Sequence, residues 1–219
     1  KKVVMCFSAT ASFVAGGALV ATGVLTMTQA KTKAELPFAS IPLLFGLQQL
    51  TEGLVWLSFR YNVSWLNTSM TFVYALFAFV LWPIYVPFAV RLLETIPWRK
   101  KILSVFQLIG IAVGAYLLYF HIQIPITSQV INRSIAYVAP HFYIFWVIVF
   151  YFIATIVSTL FSSHKLVNTL GVLMFISAIV SYWFYAAVFA SVWCFFAALL
   201  SILIFTYFVG RIKIYAGRN

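Results

Sequence analysis

Glu52 is the residue of this chain whose type and position point most directly to chemistry. It is one of only three acidic residues among 219, and it lies inside an apolar stretch. Gln48 precedes it by four positions and shares its helix face, with Gln49 flanking that face. A carboxylate in hydrocarbon costs at least about 2.5 kcal/mol, so it should face the protein interior and have a partner. This favours a proton site, a ligand anchor or a metal ligand. The alternative is a structural glutamic acid bonded to Gln48, a hydroxyl or water.

The other two acidic residues suggest no chemistry. Glu35 lies near Lys33, and Glu94 lies near Arg91, each in a break between apolar runs. We expect solvated charge pairing to account for both carboxylates.

Further polar residues fall at depths similar to that of Glu52 when residues are counted inward from the same ends of the apolar runs. If they face the interior, they would complete a ligand-binding pocket around Glu52, Gln48 and Gln49. These candidates are Ser12, Tyr74, Tyr143 and Tyr182.

A metal site is a second possibility in the same half of the predicted membrane-spanning region. His121, His141, Glu52 and Cys6 are of the types that ligate zinc or copper. Their spacing is long-range, without a His-x-x-x-His or His-x-Glu motif, so an interfacial or hydrogen-bonded role of each histidine is the alternative.

Composition decides the class of protein that must position these residues. The chain is 64% apolar and 8% charged, with a mean hydropathy of +1.06. A soluble globule of this length could not cover so much apolar surface, which excludes a soluble enzyme and a disordered chain. The net charge of +11 comes from scattered basic residues rather than a long basic face, so no nucleic-acid partner is expected.

The apolar runs predict an all-α protein, a single domain of seven transmembrane helices. The predicted spans are about 8–30, 37–59, 64–90, 102–120, 140–161, 166–183 and 189–209. The last two divide a 45-residue uncharged stretch, 166–210, with a tight turn near Tyr185–Val188. No lysine lies inside any span, which excludes a retinal Schiff base.

Charge bias sets the expected orientation. Four basic residues fall on one side of the seven spans and ten on the other. Because cytoplasmic loops carry the excess, the N-terminus is expected outside and the C-terminus in the cytoplasm. The longest loop, about 122–139, then lies outside, where residues 121–127 alternate like a short strand or an interfacial flap.

Two stretches in the first quarter of the chain carry a family resemblance. They are Met-Cys-Phe-Ser-Ala-Thr-Ala-Ser-Phe at 5–13, and Leu-Pro-Phe-Ala at 36–39 with Pro-Leu-Leu-Phe-Gly at 42–46 running into Gln48, Gln49 and Glu52-Gly53. They resemble a family of small bacterial multi-span membrane proteins. The resemblance implies a membrane fold and a bacterial origin, and it implies no particular activity.

The predicted topology is also similar to that of the seven-span hydrolases that include alkaline ceramidases and the progestin and adiponectin receptors. The zinc site of that family implies a His-x-x-x-His pair, a further histidine and an aspartate. This chain has no Asp and no such pair, so no residue of that site is transferred to it.

Three functions are compatible with these features. The first is an integral protein of the inner (plasma) membrane with an outward-opening polar pocket around Glu52, which binds or senses a small molecule or ion. The second is a membrane-embedded, metal-dependent hydrolase, so enzymatic activity stays open. The third is an accessory subunit of a larger complex. The lipid bilayer is the expected partner, with other membrane subunits or a second copy of the chain as further candidates.

Overall fold

Helices make up most of the protein. The computed structural model describes residues 8–131 and 133–216. The helices are α1 (Ala9–Thr28), α2 (Leu36–Ala39), α3 (Ile41–Tyr61), α4 (Ser64–Ala75), α5 (Trp82–Leu93), α6 (Pro97–Gln123), α7 (Phe145–Phe152), α8 (Ser158–Leu160), α9 (Lys165–Tyr185) and α10 (Phe189–Ala216). Two π-helical segments join α4 to α5 (Leu76–Leu81) and α7 to α8 (Ile153–Val157), and a 3₁₀ turn, Ala186–Val188, joins α9 to α10.

Within residues 8–131 and 133–216, four helical segments are long and apolar enough to cross a membrane. They are Ala9–Thr28, Ser64–Leu93, Pro97–Gln123 and Lys165–Gly210. A shorter apolar helix covers Phe145–Leu160. The all-α class is therefore confirmed, and the helices indicate a membrane protein.

The segment Lys165–Gly210 reverses direction in its middle. A continuous helix would separate positions 174 and 193 by about 28 Å at 1.5 Å per residue. Instead the Trp193 indole N–H donates to the Met174 carbonyl oxygen at 3.3 Å. The chain therefore folds back through Ala186–Val188, so α9 and α10 are an antiparallel pair, as the uncharged stretch predicts.

Helices α1 and α3 approach each other closely because small residues line their contact. A Cβ added at Gly23 would lie 2.3 Å from the Leu43 backbone nitrogen, and one added at Gly16 would lie 2.8 Å from a Leu50 methyl group. The two helices are antiparallel, since position 23 meets 43 and position 16 meets 50. Gly46 and Gly53 of α3 both contact α1, and Gln49 lies between these two positions in the sequence. The contact with α1 therefore sets the orientation of the part of α3 that carries Gln49.

The helix α4–α5 is irregular before its prolines. Its π-helical segment Leu76–Leu81 ends two residues before Pro83, which has no N–H to donate. The Ala78 carbonyl oxygen in that segment accepts a hydrogen bond of 2.6 Å from the Tyr151 hydroxyl, which satisfies it from another helix. The hydrogen bond from Tyr151 therefore joins α4–α5 to α7 at the point where α-helical bonding is interrupted.

A β-hairpin occupies the long loop after α6. Strands β1 (Thr127–Ile131) and β2 (Ser134–Val138) pair antiparallel, with Ile131 opposite Ser134. Arg133 in the turn has φ of 64°. Residues 134–137 of β2 are buried, whereas β1 is largely exposed. The alternation at 121–127 mostly belongs to the end of α6 and the linker that follows, so the strands begin later than the sequence pattern indicates.

The bundle has two distinct ends. We call the end with the β-hairpin and the turns at 62–63 and 186–188 the hairpin end. We call the opposite end, with the connections 29–35, 94–96 and 161–164, the basic end. Within residues 8–131 and 133–210 it carries seven basic residues: Lys31, Lys33, Arg91, Arg99, Lys100, Lys101 and Lys165.

Candidate functional site: a buried polar cluster around Glu52

Glu52 faces the protein interior and is 2% exposed. Its Oε1 accepts a hydrogen bond of 2.5 Å from the hydroxyl of Ser191, on the first turn of α10. The two residues are 139 positions apart in the chain, so the bond joins α3 to α10. Burial and a partner on another helix are what an intramembrane carboxylate requires.

Gln48 lies one turn before Glu52 and uses only half of its amide. Its Oε1 accepts a hydrogen bond of 2.7 Å from the Trp82 indole N–H, whereas its Nε2 is buried without an oxygen or nitrogen partner in the part of the chain that the structure describes. The buried Cys194 thiol, three residues after Ser191, lies beside Gln48 and Tyr74. Gln48 therefore links α3 to α5 and places its amide group against the Cys194 thiol on α10.

Gln49 is the least satisfied member of the cluster. It is 0% exposed, and neither its Oε1 nor its Nε2 has a hydrogen-bond partner among residues 8–131 and 133–216. Positions three apart on a helix are neighbours, so Gln49 lies beside Glu52. A buried polar group without a partner costs roughly 1–3 kcal/mol, and such groups are rare in folded proteins.

Two tyrosines extend the cluster toward the hairpin end. Tyr74 and Tyr137 stack with ring centroids 4.2 Å apart and planes at 6°. Within the described residues neither buried hydroxyl is bonded to an oxygen or nitrogen atom, and the Tyr74 hydroxyl lies against the Cys194 thiol. Burial, followed by the nearby Glu52 and Cys194, raises the pKa of Tyr137 well above its ordinary value. Tyr137 stands on β2, so the hairpin covers the cluster from that end.

The structure does not gather every candidate at this cluster. Ser12 is buried on the face of α1 that meets α3. Tyr182 is 68% exposed and lies on the surface. Tyr143 is 43% exposed, but it lies within electrostatic range of Cys194 in the cluster. Sequence reasoning missed Ser191 and Tyr137, because a serine among small residues and a tyrosine in a loop carry no signal of depth.

The candidate metal ligands make other contacts. His121 Nε2 lies 3.1 Å from the Phe72 carbonyl oxygen, and the His141 ring stacks on Phe120 with centroids 3.8 Å apart. Within 8–131 and 133–216, no three His, Cys, Asp or Glu side chains lie close enough together to hold a metal ion. Cys6 lies outside the described residues.

Comparison with known proteins gives a family but no function. A family model described as a "Family of unknown function (DUF6629)" matches residues 5–217. The chain belongs to this family. No curated protein and no solved structure matches it.

Another carboxylate in this family member is also buried, contrary to the expectation of a solvated charge. Glu94 is 1% exposed. Its Oε1 accepts hydrogen bonds from the backbone N–H groups of Thr95 and Ile96, both at 2.9 Å. Ser163 donates its backbone N–H to Oε2 at 2.6 Å and its hydroxyl to Oε1 at 2.8 Å. Arg91 bonds to Ser104 instead.

The Glu94 interactions also fix its ionisation. Burial alone would raise the pKa of Glu94, but the hydrogen bonds from Ile96, Ser163 and Thr95 outweigh burial and hold the pKa below its ordinary value. Glu94 is therefore a structural anchor that joins the connection after α5 to the one after α8.

Proposed function

We propose that this protein is a seven-span protein of a bacterial inner membrane whose polar cluster around Glu52 binds or senses a small polar molecule or ion. Seven apolar helical units within the described residues support the span count: α1, α3, α4–α5, α6, α7–α8, α9 and α10. The seven basic residues at the basic end favour a cytoplasmic position for that end and an outward position for the hairpin.

The observation that carries the proposal is Gln49, which is fully buried beside Glu52 with neither amide atom hydrogen-bonded to any residue that the structure describes. A purely structural cluster would gain stability by replacing such an amide with an apolar side chain. Together the cluster offers amide donors at Gln48 and Gln49, and hydroxyls at Tyr74 and Tyr137 that can donate or accept. This mixed set suits a small polar molecule or a hydrated ion.

The hairpin gives a route to the cluster. The buried face of β2 places Tyr137 over Tyr74, between the cluster and the hairpin end. Displacement of β2 would open the cluster on the outward side and would couple ligand binding to hairpin position, which is the property that a sensor needs. The hydrolase and the accessory subunit stay predictions, because no contact in the described structure favours either.

Native mass spectrometry of the purified protein, released gently from detergent, tests the proposal. We expect the wild-type chain to carry a small non-covalent adduct that Glu52→Gln and Gln49→Leu both lose. Glu94→Gln is the matched control, because it alters an equally buried carboxylate away from the cluster and should keep the adduct. A wild-type chain without any adduct, or an adduct retained in both cluster variants, would overturn the proposal.

A further inference from the structure

A cavity of about 70 Å³ lies on the basic-end side of the polar cluster. It is bounded by α2 and the start of α3, by α5, by the α7–α8 unit, and by α9 and α10. Its walls are mainly aliphatic and aromatic side chains such as Phe38, Val86, Leu170, Met174, Leu200 and Ile204. Glu52, Gln48 and Gln49 are not among the residues that line it.

The few hydroxyls in the walls are already used. Thr155 donates to the Tyr151 carbonyl oxygen at 2.8 Å, Thr159 to that of Ile156 at 2.6 Å, and Ser201 to that of Ala198 at 2.6 Å. A water molecule needs two to four polar partners, so these walls are poor at holding water. The cavity therefore favours an apolar occupant.

The shape of the cavity selects among apolar occupants. Along α10 its lining runs from Trp193 to Ile204, which is about 16 Å at 1.5 Å per residue. Yet its volume of about 70 Å³ is less than half of the roughly 150 Å³ of a cavity known to hold benzene. A long cavity of small volume fits a segment of one unbranched hydrocarbon chain better than a ring system.

The two ends of the cavity differ in chemistry, which indicates the direction of such a chain. At one end Trp82 and Cys194 separate the cavity from Gln48. At the other end Val90 and Val167 line it, close in sequence to Arg91 and Lys165 at the basic end. Basic side chains at a membrane surface attract anionic lipid headgroups.

We propose that the cavity holds part of one acyl chain of an anionic membrane phospholipid. The phosphate lies at the basic end, and the chain extends toward Trp82 and Trp193. This site is separate from the Glu52 cluster, so it stands or falls independently of the proposed function.

Fluorescence quenching by brominated lipid tests this site, because two of the seven tryptophans line the cavity. The test protein keeps Trp82 and Trp193, and carries phenylalanine at the other five positions, 56, 65, 98, 146 and 183. It is reconstituted into vesicles of phosphatidylcholine with increasing phosphatidylglycerol brominated along its acyl chains. We expect saturable quenching of the two cavity tryptophans, although both side chains are buried from the bilayer.

Filling the cavity is the decisive variant. Ala197→Leu and Ser201→Leu place extra methyl groups in the path of the chain, and either should raise the brominated phosphatidylglycerol needed for half-maximal quenching by about tenfold. Leu199→Phe is the matched control, because Leu199 lies on the same helix but is exposed and does not line the cavity. Circular dichroism and the unfolding temperature establish that each variant is folded. If one of the two filling variants does not fold, the other provides the test.

Two results would overturn the proposal. Quenching that is the same in both filling variants as in the parent protein would show that no chain occupies the cavity. Equal quenching by a brominated fatty-acid methyl ester, which has no phosphate, would show that a hydrocarbon chain binds without an anionic headgroup.

Discussion

Two buried carboxylates at opposite ends of the bundle differ in how completely they are bonded. Glu94 accepts four hydrogen bonds from three residues in two connections. Glu52 accepts one from Ser191, and the nearby Gln49 amide and Tyr137 hydroxyl have no hydrogen-bond partner among the described residues. A carboxylate with four hydrogen bonds needs no function beyond its structural role to account for its burial. An incompletely bonded cluster costs stability, and this cost is the physical reason to assign function to Glu52 rather than to Glu94.

The largest effect that the comparison predicts is at Glu94. Glu94→Ala removes the acceptor for four donors and should lower the free energy of unfolding by about 3 kcal/mol. Thermal or denaturant unfolding of the purified protein in detergent measures this loss. Glu52→Gln is the control, and its effect should be smaller, because the glutamine Oε1 can still accept from Ser191. The comparison would fail if Glu52→Gln were the more destabilising change.

The contribution of Glu94 to stability should depend on pH. The pKa of Glu94 is depressed in the folded protein, so its contribution to stability is fully present above the ordinary carboxylate pKa. That contribution is lost as the pH falls through the folded pKa. We therefore expect the wild type to exceed Glu94→Gln in unfolding free energy at neutral pH and the two to converge in acid. A difference independent of pH would show that the charge of Glu94 is not what the four donors stabilise.

In the cluster around Glu52, replacing an amide that lacks hydrogen bonds should increase stability. Gln49→Leu replaces an amide without hydrogen bonds by an apolar side chain and should raise the unfolding free energy by about 1 kcal/mol. Gln48→Leu is the matched control on the same helix. It deprives the Trp82 indole of its acceptor and should be destabilising by a similar amount. If Gln49→Leu were also destabilising, that amide would have a partner in the folded chain, and the contrast with Glu94 would be lost.

The sequence predicts the helices well, because long apolar runs broken by charge require them in a membrane. The turn at 186–188 follows in the same way, since 45 uncharged residues are too long for one span. The bonding of the carboxylates could not be predicted. Ser163 lies 69 residues from Glu94 and Ser191 lies 139 from Glu52, so only the packing of distant helices brings each pair together. The burial of β2 could not be predicted either, because it also depends on packing against segments that are distant in the sequence.

The smallest effect concerns Tyr137, where the hairpin meets the cluster. Its hydroxyl has no hydrogen-bond partner in the described part of the chain, so Tyr137→Phe should change the unfolding free energy by less than about 0.5 kcal/mol. Tyr151→Phe removes a hydroxyl that donates to the Ala78 carbonyl at 2.6 Å, and it should cost about 1 kcal/mol. Both measurements are made on protein stripped of bound small molecules by extensive washing in detergent. If the Tyr137 variant then differs from wild type only when the adduct is present, the hydroxyl binds the ligand rather than the protein. If both tyrosine variants lose the same unfolding free energy in adduct-free protein, the Tyr137 hydroxyl stabilises the fold, as the Glu94 carboxylate does.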